Sequence, residues 1–573
     1  MAGIFGGINI DNYKFKKEDG LNHDEYNQNH IFYGRKYINK FNGERFILNT
    51  EEYICVFEGF LFDIENAPTQ KDFFNKNLNI ETLNDFIKKL DGIFAFSIYF
   101  KREEKLFLVT DHLASFKVFY SQLEDKFIYS SDLFDITNYY KNIKKTIDLD
   151  LDSIYFFLGF GSIVSDKTLF SNIKKLEPST YLEFNVPDNT YKIIKYSKLD
   201  FIKETTLNED EIIDKYEALL SKPMQRIIDL NNKYNLEHIA GLSGGLDSKS
   251  MVVMMKEKVK KLTTFTFAQY GSLDQKIAQV VSSKLNTIHN FISLDNGNCL
   301  EYNFKESILA TNGLVALHTI LHGYNSVINI NTKQFGLLLT GQIGDAIFGS
   351  HFIGDKSLKD YISSKSHYGV VPNFIYEKIG FMELLLKNYD EGNSEAYIYE
   401  GRISNGTMYG DIALRNKIDT ITPFYSKELL NFTLTVPAKY RIDEDSYIKW
   451  FSKYHSKMLD FDWDKCNCKP TSKAKVKLFK YIHIVENAIK KRLKLKYDGM
   501  NPFDLWYREN KNILLNLDRL FNQYVNILGF NSELKKNVEK LYNSDVDRYK
   551  RNKFVVISLL LSLNIHLNSR DNE

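Results

Sequence analysis

The densest chemical signal in the chain is the run Gly241-Leu242-Ser243-Gly244-Gly245-Leu246-Asp247-Ser248. Its two adjacent glycines let the backbone turn tightly and present amide N–H groups to an oxyanion. Ser243 and Ser248 add hydroxyl donors, and a helix starting behind them adds the positive end of its dipole. A carboxylate at Asp247 would repel a phosphate unless a cation lay between the two, so Asp247 reads as a magnesium ligand. A glycine-rich turn with Asp247 as helix cap is the plainer account. The full run from Ser243 to Ser248, set between a strand and a helix, favours a pyrophosphate cradle over that account.

The elements around this run must hold it in place. Leu236–Leu242 reads as a strand, Leu246–Lys260 as a helix, Leu262–Ala268 as a strand, Asp274–Leu285 as a helix and His289–Leu294 as a strand. Phe335–Thr340 is a further strand after a helical region. Alternation of this kind predicts βαβ units and a parallel sheet. Residues 1 to about 195 behave differently: Tyr53–Phe57, Ile93–Phe100, Lys105–Thr110 and Lys126–Ser130 have a period nearer two, the mark of an antiparallel sheet. A charged, aperiodic stretch from Lys198 to Asp210 separates the two patterns, and Asn208-Glu209-Asp210 begins a helix predicted to run to Leu220. From Lys473 onward the chain reads as basic, amphipathic helices. The expected division is therefore 1–200 and 205–573.

Composition narrows the function classes. The 75 basic and 73 acidic side chains leave a formal charge of +2, which gives no electrostatic reason to expect nucleic acid or an anionic membrane as partner. Cys55, Cys299, Cys466 and Cys468 are too few for a disulfide scaffold. The N-terminal residues lack the basic and apolar regions of a signal peptide. The longest apolar run, Val555–Ile565, falls short of the ~20 residues that span a bilayer, so a cytoplasmic protein is expected.

The Ser243–Ser248 run is the pyrophosphate-loop signature of the ATP pyrophosphatases, and most of the chain resembles the glutamine-dependent asparagine synthetase family. The resemblance implies an N-terminal Ntn-type glutaminase-like sandwich followed by an α/β ATP-pyrophosphatase domain. The family's second acidic motif, S-G-E-G-x-D-E, is matched by Thr340-Gly341-Gln342-Ile343-Gly344-Asp345-Ala346. By that match Asp345 shares magnesium with Asp247, and Gly341 approaches the nucleotide. The strand Thr264–Phe267 corresponds to the family's adenine-side strand, which with Leu242 assigns Phe267 to the nucleotide, and Asp274 matches the acidic residue just after it. Thr422-Pro423-Phe424 and Leu434-Thr435-Val436-Pro437 look like structural segments of the family. A lysine near the α-phosphate is expected on a later loop, with Lys469 and Lys473 as the candidates. The implied chemistry is attack of a carboxylate on the α-phosphate of ATP, giving an acyl-adenylate that an amine then converts to an amide.

Departures from the family pattern are as informative. The family's second residue is a nucleophilic cysteine, and here it is Ala2. The family's Asn-Gly oxyanion hole is matched by Glu58-Gly59, and a carboxylate there repels an oxyanion. The stretch from Arg45 to Glu58 is also short. Leu90–Phe96 and Val109–His112 keep the framework, so an intact fold without glutaminase activity is expected. In the second motif Gln342 stands where the family has a Glu suspected as general base, and Ala346 replaces the next acidic residue. β-Lactam synthetases and lasso peptide cyclases also lack a working glutaminase. A Tyr expected for the former is missing, with Ile308 near its place. A peptide or small-molecule ligase of lasso-cyclase type, served by a precursor peptide or accessory protein, stays open. So do amidation of a sugar acid or amino acid with free ammonia and a nucleotide-binding scaffold. His318 and His322, four apart, read as pocket lining or core before metal ligands, and Lys490–Lys496 as a solvated basic face.

Overall fold

The structure is a computed structural model that describes residues 1–573 apart from 11, 12, 14, 16, 19, 200–203, 350–356, 369, 390–393, 442–444, 494–498 and 569–573. Two six-stranded antiparallel sheets face each other in the N-terminal part. One has the order Lys174–Lys175, Phe119–Leu123, Lys126–Ser130, Gly3–Ile8, Ile31–Tyr37, Asn22–Gln28. The other has Thr190–Lys195, Thr180–Asn185, Lys105–Thr110, Gly92–Phe100, Tyr53–Leu61, Phe46–Asn49. Alternation along Tyr53–Leu61 explains the layering. Val56 and Phe60 join Ile4 and Phe5 in the main core, whereas Cys55 and Phe57 turn outward under the helices Gln70–Asn77 and Leu83–Lys89.

The second part is built on a five-stranded parallel sheet in the order Ile288–Ser293, Thr263–Ala268, Glu237–Gly241, Phe335–Leu339, Thr420–Ile421. Gly241 is paired with Phe265 on one side, and Ala240 with Leu339 on the other, so the chemical loop leaves the C-terminal edge of the central strand. The sandwich, the parallel sheet and the helical C-terminal end expected from the sequence are all present.

Three elements differ from expectation. The helix that begins at Asn208 does not stop at Leu220 but runs over Glu209–Lys233, with Pro223 inside it. A capping box fixes its start: Asn208 accepts from the Glu211 N–H at 3.1 Å, and Glu211 accepts from the Asn208 N–H at 2.8 Å. Burial of Leu220, Met224, Ile227 and Ile228 carries it past the proline. The last helix, Arg551–Leu567, is a core element and not a basic surface one, because Phe554–Leu561 are all buried. Finally, Lys473–Arg492 presents its apolar residues Leu478, Ile482, Val485 and Ile489 to solvent, while His483 and Asn487 bond to each other at 2.9 Å on the opposite side. Of the basic run, residues 494–496 lie outside the described residues.

The two parts are tied by buried polar bonds. Asp91 accepts from the Ser426 hydroxyl at 2.7 Å and the Lys427 N–H at 2.6 Å. Arg45 pairs with Asp419 at 2.7 Å, and Lys117 donates to the Ser404 carbonyl at 2.8 Å. These bonds hold the sandwich against the cavity that opens at the parallel sheet's C-terminal edge.

Candidate active site

The loop after Glu237–Gly241 is bonded to itself. The Ser243 N–H donates to Ser248 Oγ at 2.9 Å, the two hydroxyl oxygens are 2.7 Å apart, and the Gly245 N–H donates to Ser243 Oγ at 3.2 Å. Asp274 braces it from behind by accepting the Gly244 N–H at 3.0 Å. Asp274 therefore holds the loop in shape and does not line the cavity. Burial, with the nearby Asp464, pushes its carboxyl up to about 6.

Gly341 explains why the second acidic segment can lie directly on this loop. A Cβ at Gly341 would come 2.4 Å from the Ser248 nitrogen and 2.7 Å from the Asp247 carbonyl carbon. A Cβ at Gly344 would come 2.8 Å from the Asp247 carboxyl carbon. Between them Ile343 is held at φ 61°, a left-handed conformation that costs energy for a β-branched residue. That strained turn brings Asp345 to Asp247. Burial and the Asp345 charge together push Asp247 up to about 8. Two carboxylates in this relation form a donor set for a hard divalent cation, so the residues present fit magnesium. Among the described residues there is no group of three or more His, Cys, Asp or Glu that could hold a metal, which leaves the rest of such an ion's coordination to ligand oxygens and water.

A cavity of about 580 Å³ opens from this point. Leu242, Phe265, Phe267, Val327 and Leu338 form an apolar end beside the loop, with His322 edge-on to Phe267 at 5.7 Å. Ser243, Gly245, Asp247, Ser248, Gly341 and Gln342 line the middle. The far wall comes from Phe156, Phe160 and Val164 of the N-terminal part and from Tyr397, Arg402 and Thr407. The last three belong to Tyr397–Thr407, a π-helix, a widened helical turn often found at functional sites.

Neither lysine suggested by the sequence reaches the cavity: Lys469 and Lys473 are exposed, and neither lines it. The segment before them explains this. Trp463 and Cys468 bridge to each other, and the Asn467 N–H donates to the Trp463 carbonyl at 2.7 Å. That tight turn sets Asp464 on the loop, its N–H donating to the Gly244 carbonyl at 3.2 Å, and turns Lys469 away. Lys465 is the cation whose charge bears on Asp247, and Lys365 and Arg402 are the cations on the cavity wall. No spacing rule marks Lys465 in the sequence, because its place depends on a turn docking across more than 200 residues of chain.

This geometry agrees with comparisons across known proteins. Residues 77–196 match the glutamine amidotransferase domain, and residues 238–455 match asparagine synthase. A glutamine amidotransferase match is thus followed along the chain by an asparagine synthase match. Asparagine synthetase [glutamine-hydrolyzing] 2 of Bacillus subtilis is 26% identical over 46% of this chain and 37% of its own length. Putative asparagine synthetase [glutamine-hydrolyzing] 1 of Methanocaldococcus jannaschii is 23% identical over 62% of this chain and 58% of its own. The chain thus aligns with less than two thirds of these relatives' lengths.

Against that family background the N-terminal part is distinctive. Ala2 is buried, and its N–H donates to Asn416 Oδ1 at 3.0 Å. Glu58 is fully buried, 3.3 Å from Arg35 and 3.6 Å from Arg45. Burial pushes its carboxyl up to about 7 despite both guanidiniums. His318 is packed in the core with Nε2 3.3 Å from His367 Nδ1, while burial holds His322 down at about 4, so His322 stands neutral on the cavity wall.

Proposed function

We propose that the chain is an ATP-dependent amide ligase of asparagine synthetase type that activates a carboxylate as its adenylate. The observation that carries this reading is the seating of Gly341 on the Ser243–Ser248 loop, which brings Asp345 to Asp247 at the mouth of one cavity. The Ser243 and Ser248 hydroxyls and the start of the helix Leu246–Lys258 fit the β- and γ-phosphates, and the apolar end at Phe265 and Phe267 fits the adenine. Magnesium on Asp247 and Asp345 would offset charge developing on the departing pyrophosphate. The substrate carboxylate then lies towards Gln342 and the far wall, in line with the α-phosphate.

The amine does not come from this chain's own glutaminase in our reading. Ala2 supplies no nucleophile, and the Glu58 carboxyl fills the place of an oxyanion-hole amide. A peptide or other natural-product acid, in the manner of a lasso cyclase, is the favoured substrate, since the far wall is roomy and largely apolar. Amidation of a sugar acid or amino acid with free ammonia is the second choice. A precursor peptide or an accessory protein is the expected partner, and a cytoplasmic setting fits; no described helix is long and apolar enough to cross a membrane.

The test is ATP–pyrophosphate exchange with magnesium across amino acids, sugar acids and peptides, without added amine. Exchange that depends on one class of acid, and disappears in Asp247→Ala, supports adenylation and names the acid. Tight ATP binding with no exchange for any acid would sink it and leave a nucleotide-binding scaffold.

A further inference from the structure

Gln342 leaves the proposed reaction without a base at the position where the family's Glu stands, because an amide side chain takes no proton near neutral pH. A buried carboxylate stands directly beside it. Asp411 lines the same cavity and follows the π-helix Tyr397–Thr407 in the helix Met408–Ile412. A Cβ at Gly410, the residue before Asp411, would sit 3.3 Å from the Gln342 amide nitrogen, which sets the Gln342 side chain beside Asp411. We propose that Asp411 is the base that takes the proton from the incoming amine, with Gln342 as the residue that orients it. This rests on the adenylation reading above.

The surroundings suit that role. The Tyr425 hydroxyl donates to Asp411 Oδ2, which fixes the carboxylate plane. The Tyr425 hydroxyl uses one of the roughly four acceptor sites of a carboxylate, so capacity is left for a proton. Burial raises the Asp411 carboxyl above the usual carboxylate range, against the lowering effect of the Tyr425 hydroxyl and the Arg415 guanidinium. The groups that face it are the Tyr425 hydroxyl, the Thr420 hydroxyl, the Gln342 amide and the Arg415 guanidinium, which itself donates to the Ser115 carbonyl at 2.5 Å. A Glu at 342 would set two carboxylates against each other in a buried place, so Gln342 and Asp411 make sense as an exchange of roles. In the step itself the amine lone pair attacks the acyl carbon, and the new C–N bond forms. The tetrahedral oxyanion collapses, the C–O bond to AMP breaks, AMP leaves with that electron pair, and the nitrogen's proton passes to Asp411.

The experiment uses the full chain, ATP, magnesium and the acid that gives the strongest exchange, with ammonium chloride and hydroxylamine as probe amines. Asp411→Asn is expected to lower the ratio of amide formed from ammonium to pyrophosphate exchanged by about 100-fold or more. With hydroxylamine, whose adduct sheds its proton to water more readily, the fall is expected to be at least tenfold smaller. The acidic limb of the amide-forming rate against pH vanishes in this variant. The double variant Gln342→Glu/Asp411→Asn, which returns the carboxylate to the family's position, regains at least tenfold. An unchanged ratio in Asp411→Asn overturns the proposal. So does a lowered ratio that is equal for both amines, with the pH limb intact and no gain in the double variant, because that is the signature of a structural aspartate. A wild-type chain that exchanges with no acid overturns the adenylation reading first, and this one with it.

Discussion

At Glu58 a buried carboxylate sits between two guanidiniums, Arg35 at 3.3 Å and Arg45 at 3.6 Å, and Arg45 reaches on to Asp419 at 2.7 Å. At Asp247 the nearest charge is a second carboxylate, Asp345, and the wall opens into a cavity of about 580 Å³. The first cluster balances itself: two guanidiniums face Asp24, Asp419 and a Glu58 held towards its neutral form, and none of these lines the cavity. The second is out of balance and is held that way by glycines and a strained Ile343. A self-balanced cluster stabilises a fold and asks for nothing more, whereas like charges forced together store energy that a cation releases. The comparison accords with the function proposed above, in which the N-terminal part supports and the C-terminal part carries the chemistry.

Asp247→Asn should break the comparison most strongly. Removing one of two carboxylates from the cation site is expected to cut acid-dependent pyrophosphate exchange by about 1,000-fold, in line with the several kcal/mol a metal ion supplies to charge at a transition state. Thermal stability without ligand should hold or rise, because like-charge repulsion is relieved. A variant that exchanges at the wild-type rate would remove Asp247 from the site.

Arg45→Met attacks the other cluster. It strands Asp419 and leaves Glu58 to Arg35 alone, and losing one partner of a buried pair costs roughly 3–5 kcal/mol. The melting temperature should drop by several degrees, while exchange per folded molecule stays close to wild type. A selective loss of exchange at unchanged stability would show that the two regions are coupled and not divided as argued.

Gly341→Ala tests the seating itself. Its Cβ would lie 2.4 Å from the Ser248 nitrogen, and both neighbours are backbone that cannot swing aside. Overpacking of this kind costs about 1–3 kcal/mol, and a loop displaced by a few tenths of an ångström should exchange roughly 10- to 100-fold more slowly. Normal exchange in this variant would mean that the second acidic segment moves independently of the loop.

How much of this was legible beforehand follows from the range of each interaction. The βαβ order and the loop's place at a strand end are set by local period and glycine positions, and both were readable from Leu236–Leu294. The pairing of Asp247 with Asp345 came through the family resemblance, since nothing in the spacing alone joins them. Lys469 and Lys473 were misplaced because the turn Trp463–Cys468 decides which lysine faces inward, and that turn is stabilised by contact with Gly244. Asp411 left no local mark at all. It is one acid among 73, and only the fold sets it against Gln342. The end of the helix Glu209–Lys233 was missed for a related reason, because buried contacts outweighed the cost of Pro223.

Glu58→Gln has the smallest expected effect and sharpens the comparison furthest. Burial pushes the folded-state carboxyl up to about 7 from its ordinary value of 4.5. A carboxyl whose pKa is raised on folding binds its proton more tightly in the folded chain, so its contribution to stability is greatest at low pH. That contribution shrinks as pH rises from the unfolded value through about 7 and is then constant. Gln imitates the neutral form at every pH. At pH 5 the variant should therefore match wild type to within about 1 kcal/mol, and at pH 8 it should be the more stable by roughly 1–3 kcal/mol. Urea unfolding at the two pH values checks this. A variant that is less stable at pH 8 would mean that Arg35 and Arg45 hold Glu58 ionised, so that the cluster is a set of full ion pairs with its charges already balanced. Exchange should be unchanged in either case, since Glu58 lies outside the cavity that holds Asp247.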